Sequence, residues 1–521
     1  MSARNGHETV NIMKTLNTSI AVLSFAALFA TSASANLGRY RVIDLGQMGG
    51  VHNSAVGINN NGLVVGNMTD ATGLVRAWQY NLNTKQLIVL PRPSDFTNTR
   101  VRDINDSGRM VGYGTKVMSP SSRSRGLYWS DPSMPVQITP FDGTTNADSY
   151  LMGINNNGNC VGAASGRVYS GTATSVLQGM SYYAPNNAKT FRGTLGNING
   201  TSANTSFINA INSTEVCVGY TRTTSSDNAG MRDNGSGGMF SVANPYSSSS
   251  STSVEDINDF NRMVGTFWPA TGQSRAFYKD NYGTTTLIPQ LSYTQSGDSS
   301  AARSVNNLGY IAGNNETGTT LRGTLFDGTT LTDLNVISDG QMFNYIGSAN
   351  DINEKMCIAG DLGPSGTSRA CVLLPVQNIQ VPCTFEDTQL SGYVEWDILS
   401  TAGAVVDSGS DIPVGGVLRV STIHSGIGTL RIKPSHWLQR NVVFNATTVF
   451  QTINTAPTTF KNGDVNNDNV VDIADYTGLA AAFDSVYGGP NWNFMADLNA
   501  DQIVDIADYV ILARNFDMFG D

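Results

Sequence analysis

The sequence predicts a mainly β protein, with a seven-bladed β-propeller, then a small β-sandwich, then a small α-helical module. Three observations lead to this prediction. An Asn-rich turn recurs seven times along residues 37–375, short alternating strands follow over 376–459, and two similar Asp/Asn-rich loops lie in 460–521. Propellers and solenoids are the folds that repeat a unit of this size.

Composition narrows the class of protein further. The 521 residues include only 14% charged side chains and 54 glycines, and the formal net charge is -10. Low charge with abundant Gly, Ser, Asn and Thr is typical of an extracellular β protein. A nucleic-acid partner is excluded, because neutralising phosphates requires an excess of Lys and Arg.

The N-terminus is typical of a secretion signal. Lys14 precedes the apolar stretch 20–30, and Ala33, Ser34 and Ala35 form a small-x-small cleavage pattern. The alternative, a membrane anchor, is disfavoured because the apolar stretch is short and polar chain follows it. We therefore expect residues 1–35 to be a signal peptide with an N-terminal extension, cleaved near Ala35-Asn36. The mature protein would be secreted or located at the cell surface, without a membrane span.

The repeat is defined by an Asn after Ile or Val and by a Gly seven residues later. The seven Asn are Asn59, Asn105, Asn155, Asn212, Asn258, Asn306 and Asn353. The seven Gly are Gly66, Gly112, Gly162, Gly219, Gly265, Gly313 and Gly360. Successive Asn lie 46, 50, 57, 46, 48 and 47 residues apart. The chain therefore contains seven units. We expect the Gly seven residues after each Asn to permit close packing or a bend.

Each unit contains signals for four short strands. We assign to it an apolar strand upstream of the turn, the two strands around the turn, and a downstream strand with aromatics. Four strands in a repeat of this length are the composition of a propeller blade. The fifth unit is the weakest, because its expected first strand falls on the low-complexity run 246–253.

The turn itself calls for a residue with positive φ. Gly62, Gly108, Gly158 and Gly309 supply it in four copies, and the Asn side chain can bond to the backbone two residues on. The other three copies carry Glu215, Asn261 and Met356 at this position. Since Glu and Met adopt positive φ poorly, we expect their hairpins to differ in geometry.

The order of these signals resembles the extracellular HAF-repeat family, which is named for a His-Ala-Phe motif. In this chain Arg replaces the His, as in Arg76-Ala77-Trp78 and Arg275-Ala276-Phe277. The resemblance implies β-propeller-like repeats over 37–375. The family has no assigned chemistry to carry over to these residues.

The segment 376–459 contains several strands with Gly-rich turns between them. This pattern predicts a small β-sandwich of the immunoglobulin-like or carboxypeptidase-regulatory type. It is similar to the stalk domains that often precede dockerin-like tails in secreted bacterial proteins.

Two loops 33 residues apart have the EF-hand spacing of oxygen donors at positions 1, 3, 5, 7, 9 and 12. The first set is Asp464, Asn466, Asp468, the Val470 carbonyl, Asp472 and Asp475. The second is Asp497, Asn499, Asp501, the Ile503 carbonyl, Asp505 and Asp508. We expect each loop to bind one Ca²⁺ ion. The alternative is an Asp/Asn-rich solvated turn, which two complete six-point matches disfavour.

An apolar helix follows each loop, and no helix precedes it. This order resembles the type I dockerin, in which Asp at position 12 is usual. The resemblance implies a calcium-dependent module that binds a cohesin domain partly through Ile473-Ala474 and Ile506-Ala507, in either of two orientations. Attachment to a cell-surface component is the alternative. We also expect Val471 and Val504 to pair the two loops as a short β-bridge.

Few residues are available for catalysis. His52 is the only His in the repeats, and His424 and His436 are expected to be surface or packing residues. The aspartates preceding the turn in three units, Asp103, Asp256 and Asp351, are expected to be structural because they recur at one repeat position. The aromatics Trp78, Trp129 and Trp268 either stack on sugars or pack between blades, and packing is favoured. Five Cys leave room for one disulfide.

The resulting hypothesis is a secreted, non-catalytic binding or adhesion protein. Its propeller would present ligand-binding loops, with an extracellular glycan as the ligand considered, and its tail would dock to a partner. The first alternative is an enzyme on extracellular polysaccharide, a glycosyl hydrolase or lyase with a propeller catalytic domain. The second is a structural surface-layer component.

Overall fold

The computed structural model describes residues 40–141, 147–166, 176–193, 195, 205–222, 228–233, 238–242, 251–270, 272–293, 298–339, 345–363, 367–388 and 392–521. The expected signal peptide and residues 246–250 of the low-complexity run lie outside these ranges. The described chain forms two compact units, Tyr40–Pro375 and Val376–Asp521. Both are mainly β. No helix in the described ranges is long and apolar enough to cross a membrane.

The N-terminal unit, Tyr40–Pro375, consists of β-strands with one short 3-10 helix at Ala184–Asn186 in its described part. The strands of its first half are β1 (Tyr40–Gly46), β2 (His52–Ile58), β3 (Leu63–Thr69), β4 (Val75–Asn81), β5 (Gln86–Val89), β6 (Phe96–Ile104), β7 (Met110–Lys116), β8 (Arg123–Trp129), β9 (Val136–Ile138), β10 (Ser149–Ile154), β11 (Asn159–Gly166), β12 (Val176–Tyr183) and β13 (Ala188–Gly193). Those of its second half are β14 (Thr205–Ile211), β15 (Cys217–Arg222), β16 (Asn228–Asp233), β17 (Met239–Ser241), β18 (Ser251–Ile257), β19 (Met263–Trp268), β20 (Arg275–Lys279), β21 (Thr285–Leu287), β22 (Ser300–Val305), β23 (Ile311–Thr317), β24 (Thr320–Phe326), β25 (Leu331–Asp333), β26 (Ser338–Asp339), β27 (Ile346–Ile352), β28 (Ile358–Leu362) and β29 (Arg369–Pro375).

These strands form seven sheets in the described residues, in a propeller-like arrangement. Six are four-stranded and follow the chain, in the orders β2-β3-β4-β5, β6-β7-β8-β9, β10-β11-β12-β13, β14-β15-β16-β17, β18-β19-β20-β21 and β22-β23-β24-β25. The seventh has the order β26-β1-β29-β28-β27. The start of the unit therefore pairs with its end, since β1 lies antiparallel to β29.

The predicted grouping of strands within a unit is wrong by one strand. The apolar strand was assigned to the turn that follows it, but β5, β21 and β25 each pair with the aromatic strand before them. They are thus the last strands of the preceding sheets. Short hairpins keep consecutive strands adjacent, which favours this grouping. The fifth sheet is consequently complete, because its fourth strand is β21.

The hairpins at Glu215 and Met356 do not differ from the others as expected. Their φ angles are 66° and 63°, in the same left-handed region as Gly62 at 79°. Their backbone N–H groups donate to the repeat Asn carbonyls, as Gly62 does to Asn59. The surrounding hydrogen bonds therefore impose the turn even on residues that adopt positive φ poorly.

A closed circuit of hydrogen bonds joins the seven repeat Asn, which we name the asparagine ring. Within each repeat the side-chain oxygen accepts a backbone N–H four residues on, as Asn59 does from Leu63. The amide nitrogen donates to the Asn carbonyl of the next repeat, over 2.9 to 3.1 Å in all seven steps. The last step runs from Asn353 back to Asn59. All seven Asn are buried, so each satisfies its own turn and its neighbour.

The strand before each Asn turn, here called the first strand of its sheet (β27 in the seventh), contains a β-bulge two residues before its Ile or Val. The bulged residues are Val56, Arg102, Met152, Asn209, Glu255, Arg303 and Asn350, which we name the bulge ring. The repeat Gly lies opposite the residue before the bulge. A Cβ on any of these seven glycines would lie only 1.9 to 2.3 Å from a carbonyl oxygen of the first strand. The repeat Gly therefore permits close packing, as the sequence predicted.

The C-terminal unit, Val376–Asp521, begins with two sheets packed on each other. Its strands are β30 (Gln377–Phe385), β31 (Val394–Leu399), β32 (Val405–Asp411), β33 (Val417–Thr422), β34 (Gly426–Lys433), β35 (Arg440–Ala446), β36 (Thr452–Asn454) and β37 (Thr458–Phe460). One sheet has the order β33-β30-β36 with β37 also on β30, and the other β32-β31-β34-β35. Trp396, Trp437 and Phe460 belong to the core of buried residues between them.

Two helices and a two-stranded sheet complete this unit. They are α1 (Ile473–Ala482), β38 (Ser485–Val486), β39 (Ile503–Val504) and α2 (Ile506–Arg514). The predicted β-bridge between the two Asp-rich loops is wrong. Val504 lies in β39, which pairs with β38, and the N–H of Val471 donates to the Met518 carbonyl after α2. Each loop therefore pairs with the segment that follows the other loop's helix.

The bulge geometry predicts a large cost for a methyl group at the repeat Gly. In Gly162→Ala the new Cβ would lie 2.1 Å from the Tyr150 carbonyl oxygen. We expect the free energy of unfolding to fall by about 1–3 kcal/mol, as for other overpacked sites. Thermal and denaturant unfolding of the full chain measure this.

Gly283→Ala is the matched control, because its nearest neighbour would be Asp280 Cβ at 3.6 Å, an ordinary contact. Equal stability of the two variants would contradict the steric account of the repeat.

Candidate functional site

All seven side chains of the bulge ring line one cavity of about 410 Å³. Because each comes from a different sheet, the cavity opens on the axis around which the repeats are arranged. We call it the channel mouth. A bulge re-aims a side chain out of the alternating pattern of a strand. The fold therefore presents seven side chains of differing chemistry on a frame that repeats.

The side chains of the bulge ring differ in whether they form hydrogen bonds or salt bridges with other residues. Asn209 donates to the Val254 carbonyl and Asn350 to the Ala55 carbonyl, so both brace neighbouring sheets. By contrast Arg102, Glu255 and Arg303 make no side-chain hydrogen bond or salt bridge within the described residues. Three charged groups are thus free at the channel mouth.

Below the bulge ring, three aspartates connect neighbouring sheets. Asp103 accepts the N–H of Ile104 with one oxygen and that of Ile154, in the next sheet, with the other. The same double contact joins Asp256 to Ile257 and Val305, and Asp351 to Ile352 and Ile58. These contacts support the structural role expected for the three aspartates. Their carboxylates act as staples between repeats.

The residue facing each staple is small. The equivalent positions in the following repeats are Gly153, Ser304 and Gly57. The Ser304 hydroxyl also lies within hydrogen-bond distance of both Asp256 and Asp351, at 2.9 and 2.7 Å. Because a hydroxyl has one proton, it donates to only one of these carboxylates at a time. The second carboxylate must then hold a proton or accept an unfavourable contact.

Burial and mutual repulsion raise the pKa of these aspartates. Loss of hydration, and then the nearby Asp351 carboxylate, raise the pKa of Asp103 to about 8. Loss of hydration is also the main cause that raises the pKa of Asp256 to about 7, although the N–H of Val305 acts against it. The pKa of Asp351 is raised by burial. Of the three, Asp103 therefore favours the protonated form at neutral pH.

The opposite end of the channel is a cavity of about 210 Å³ that is lined by six of the seven asparagines of the asparagine ring. The amide groups of these Asn side chains already have hydrogen-bond partners within the asparagine ring. The residue after each repeat Asn also lines this end and varies between repeats, as Asn60, Asp106 and Glu354 show.

The tryptophans of the repeats divide into two groups. Trp78 and Trp129 are fully buried, as the packing interpretation predicts. Trp268 is 41% exposed and lines a groove of about 340 Å³ between the fifth and sixth sheets. Glu255, Arg303, Asn314 and Leu321 line both this groove and the channel mouth. The groove is therefore continuous with the channel mouth.

The histidines and cysteines of the described residues lie in separate environments. His52 lies in the channel mouth and its Nδ1 is 2.8 Å from the Ser368 hydroxyl. His436 is buried against Trp437, and burial lowers its pKa to about 4. All five Cys are free thiols, so the one disulfide for which the sequence left room is absent.

In the first Asp-rich loop the backbone turns around two carboxylates, which accept its N–H groups. Asp464 accepts the N–H groups of Asp468 and Asn469, and Asp475 accepts those of Asn466 and Asp472. Asp472 and Asp475 also form the capping box of α1. Two of the predicted oxygen donors therefore also begin the helix.

The second loop repeats this pattern. Asp497 accepts the N–H groups of Asp501 and Gln502, while Asp508 accepts those of Leu498 and Asp505. Asp505 and Asp508 cap α2 in the same way. The two loops therefore share one backbone geometry, including the left-handed Asn469 and Gln502 at position 6, with φ of 73° and 70°.

The residues present fit a hard cation such as Ca²⁺ in chemistry. Asp464, Asp475 and Asp508 are fully buried, and burial together with neighbouring carboxylates raises the pKa of Asp475. Within the described residues no three His, Cys, Asp or Glu side chains alone converge as a metal site. The Asn side chains at position 3 and the carbonyls of Val470 and Ile503 would have to complete each set of ligands.

The two loops differ in one contact. The ammonium of Lys433 lies 2.7 Å from Asp464 Oδ2 in the first loop. It also donates to the carbonyls of Ser435 and Trp437. Asp497, the equivalent residue of the second loop, has no salt-bridge partner among the described residues. The first loop is therefore already partly neutralised by the protein.

The residues expected to contact a partner lie on an exposed apolar face. Ile473 and Ile506 are 65% and 62% exposed at the starts of α1 and α2, and Ala474 and Ala507 are exposed beside them. The rings of Tyr476 and Tyr509 are in edge-to-face contact, 5.9 Å between centroids. The equivalent halves of the module thus meet in one face.

Comparison with known proteins adds a family resemblance for part of the repeats. Residues 51–175 match a family described as "Protein of unknown function (DUF3466)". No curated protein has a matching sequence.

Three solved structures are among those to which parts of this chain are similar. One is a type II cohesin-X-dockerin complex from Acetivibrio cellulolyticus, at 18% identity, covering 28% of this chain and 97% of that chain with a TM-score of 0.23. Another is the β-propeller domain of the Trilobed protease from Pyrococcus furiosus, at 10% identity, 62% and 94% coverage and a TM-score of 0.38. The third is puromycin hydrolase, at 11% identity, 62% and 52% coverage and a TM-score of 0.42.

Sequence reasoning missed the bulge ring, although a signal was available. The ring residue stands three positions before each repeat Asn. There the chain varies between apolar, amide and charged residues, whereas the Asn and Gly positions are constant. Variation at one fixed position of a repeat indicates a site where the fold imposes no particular side chain.

The raised pKa of Asp103 predicts how stability depends on pH. Asp103 releases its proton near pH 3.9 when unfolded but only near pH 8 when folded. Its contribution to stability is therefore complete below about pH 4 and is lost as the pH rises to about 8. Asp103→Asn should flatten the fall in unfolding temperature across this range.

The control is Asp327→Asn, an exposed aspartate that also accepts two backbone N–H groups. Its unfolding should keep the pH dependence of the wild type. If Asp103→Asn keeps it too, Asp103 does not titrate in this range.

Proposed function

We propose that this chain is a secreted, non-catalytic binding protein with two working parts. A seven-bladed β-propeller binds a ligand at the channel mouth. A dockerin-like module, loaded with two Ca²⁺ ions, docks onto a protein partner or a cell-surface component. The observation that carries the proposal is the bulge ring, which places seven variable side chains around one cavity on an otherwise constant frame.

The number of blades is supported by two independent counts. Seven sheets occur in the described residues, and seven hydrogen bonds return the asparagine ring to its first member. The Arg-Ala-aromatic strands that resemble HAF repeats are β4 and β20, each the third strand of its sheet.

The absence of catalysis is supported by the engagement of the aspartates. One oxygen of each of Asp103, Asp256 and Asp351 accepts an N–H of its own strand, and the other accepts an N–H of the next sheet. A general acid or base has to reach the substrate's reacting atoms. Carboxylates held in this way are better suited to holding blades together.

The proposed calcium sites rest on the donor sets of the two loops. Each supplies carboxylates, a side-chain amide and one peptide carbonyl, the hard oxygen ligands that Ca²⁺ prefers. A bound divalent cation would offset the repulsion among carboxylates such as Asp464, Asp468 and Asp475. Since ligands that bind only the folded state stabilise it, folding of this module should depend on Ca²⁺.

The proposed docking face comprises Ile473, Ala474, Ile506 and Ala507. Because the two halves present the same residues, a cohesin-like partner could bind in either of two orientations. Exposed apolar residues grouped on one face are typical of a surface that binds a protein.

Calcium should stabilise the C-terminal unit in the full chain. At 100 times its dissociation constant, Ca²⁺ should add about 2.7 kcal/mol of stability for each of the two sites, measured by calorimetry in Ca²⁺ and in chelator. The double variant Asp468→Ala/Asp501→Ala removes an exposed ligand from each loop and should abolish most of this gain.

Glu395→Ala, which removes an exposed carboxylate from the neighbouring strand β31, should keep the gain. An unfolding profile of the wild type that is identical in Ca²⁺ and in chelator would refute the calcium sites.

Docking should depend on both halves of the exposed face. Immobilised full-length protein should capture purified type I or type II cohesin domains in Ca²⁺ and release them in chelator. Ile473→Asp or Ile506→Asp alone should retain capture through the other orientation, and the double variant should lose it because charge desolvation opposes an apolar contact.

Val443→Asp is the control, because Val443 is 70% exposed on the sandwich strand β35. Capture by the double Ile variant at the wild-type level would exclude this face.

A further inference from the structure

The groove at Trp268 differs from the rest of the repeat surface in exposing an indole beside free charged groups. The indole is 41% exposed at the end of β19. Its groove is bordered by the side chains of Thr266, Ser274 and Ser299. An exposed aromatic ring in a groove with hydroxyl side chains offers both an apolar surface and hydrogen-bonding partners.

Glu255 and Arg303 stand at the junction of this groove with the channel mouth. Glu255 is an acceptor and Arg303 a donor, and neither has a side-chain partner in the described part of the chain. They come from bulges on adjacent sheets, β18 and β22. A ligand at this point therefore meets a donor and an acceptor that the protein has not paired with each other.

The charges lining the channel mouth disfavour an anionic ligand. The free charged groups there are Arg102, Arg303 and Glu255, so Glu255 offsets one of the two arginines. The carboxyl groups of Asp103, Asp256 and Asp351 are hydrogen-bonded to backbone N–H groups, and burial raises their pKa values. One uncompensated positive charge is too little to attract a polyanion such as a uronate chain. The cavity and groove, about 410 and 340 Å³, are each of the size of small-molecule sites.

We infer that the channel mouth and the Trp268 groove together bind a neutral oligosaccharide. This inference rests on the ligand-binding role proposed for the propeller and names the ligand class. The apolar C–H face of one sugar ring packs on the Trp268 indole. Hydroxyl groups, which are both donors and acceptors, bond to Arg303 and Glu255. The remaining bulge ring, with Arg102, Asn209 and Asn350, contacts sugars further along the chain.

The test uses the full-length protein and titration calorimetry in the presence of Ca²⁺. The ligands are cello-, xylo- and manno-hexaose, with hexagalacturonate as the anionic comparison. At least one neutral hexaose should bind, and hexagalacturonate should bind at least tenfold more weakly. Trp268→Ala and Arg303→Ala should each weaken binding of the neutral hexaose at least tenfold, which corresponds to about 1.4 kcal/mol.

Tyr282→Ala is the matched control, because Tyr282 is 95% exposed and lies outside both the groove and the channel mouth. Its affinity should equal that of the wild type. Cohesin capture by the same variants should be unchanged, which separates this site from the docking module.

Three results would overturn the inference: no binding of any neutral hexaose, tighter binding of hexagalacturonate, or equal affinities of Trp268→Ala and the wild type. Each leaves the calcium and docking experiments unaffected. Release of reducing ends from a bound hexaose would instead overturn the non-catalytic function proposed for the propeller.

Discussion

The repeats depend on one steric constraint, the contact between the repeat Gly and the carbonyl oxygen beside the bulge. A Cβ at Gly112 would lie 1.9 Å from the Arg100 oxygen, well inside any tolerated contact. With glycine in place, the first strand of each sheet can bulge without losing its pairing. The bulge turns Arg102 and its six counterparts out of the strand and into the channel mouth. The constant repeat Gly therefore allows the bulge, and the bulge presents the variable side chains of the bulge ring.

A second constraint holds the sheets in a ring. The buried amide of each repeat Asn needs partners on both its oxygen and its nitrogen. The turn satisfies the oxygen, and only the next repeat satisfies the nitrogen. The Asn353 side chain donates to the Asn59 carbonyl, and β1 pairs with β29. The first and last repeats are therefore joined by two separate sets of hydrogen bonds. Staples such as Asp103 add further bonds between some sheets and leave buried acidic groups as a consequence.

The C-terminal module uses its carboxylates for two purposes. Asp475 and Asp508 cap the helices and are also the last ligands of the proposed calcium sites. Loss of the cation would therefore affect the loop and the helix together. Lys433 makes the halves unequal, because it neutralises Asp464 of the first loop only. The first of the two similar loops therefore has an ion pair with the sandwich strand β34, whereas the second has none among the described residues.

The sequence by itself determined the repeat count, the turn chemistry and the spacing of oxygen donors in the tail. These are local properties, because a turn needs positive φ and a loop needs donors at fixed intervals. Tertiary structure decided the rest. It assigned β5 to the preceding sheet, imposed the turn on Met356, and paired Val471 with the segment after α2. It also brought Glu255 and Arg303 together at one cavity with Trp268 close by. Those residues belong to different repeats, and only packing of one sheet on the next determines which side chains become neighbours.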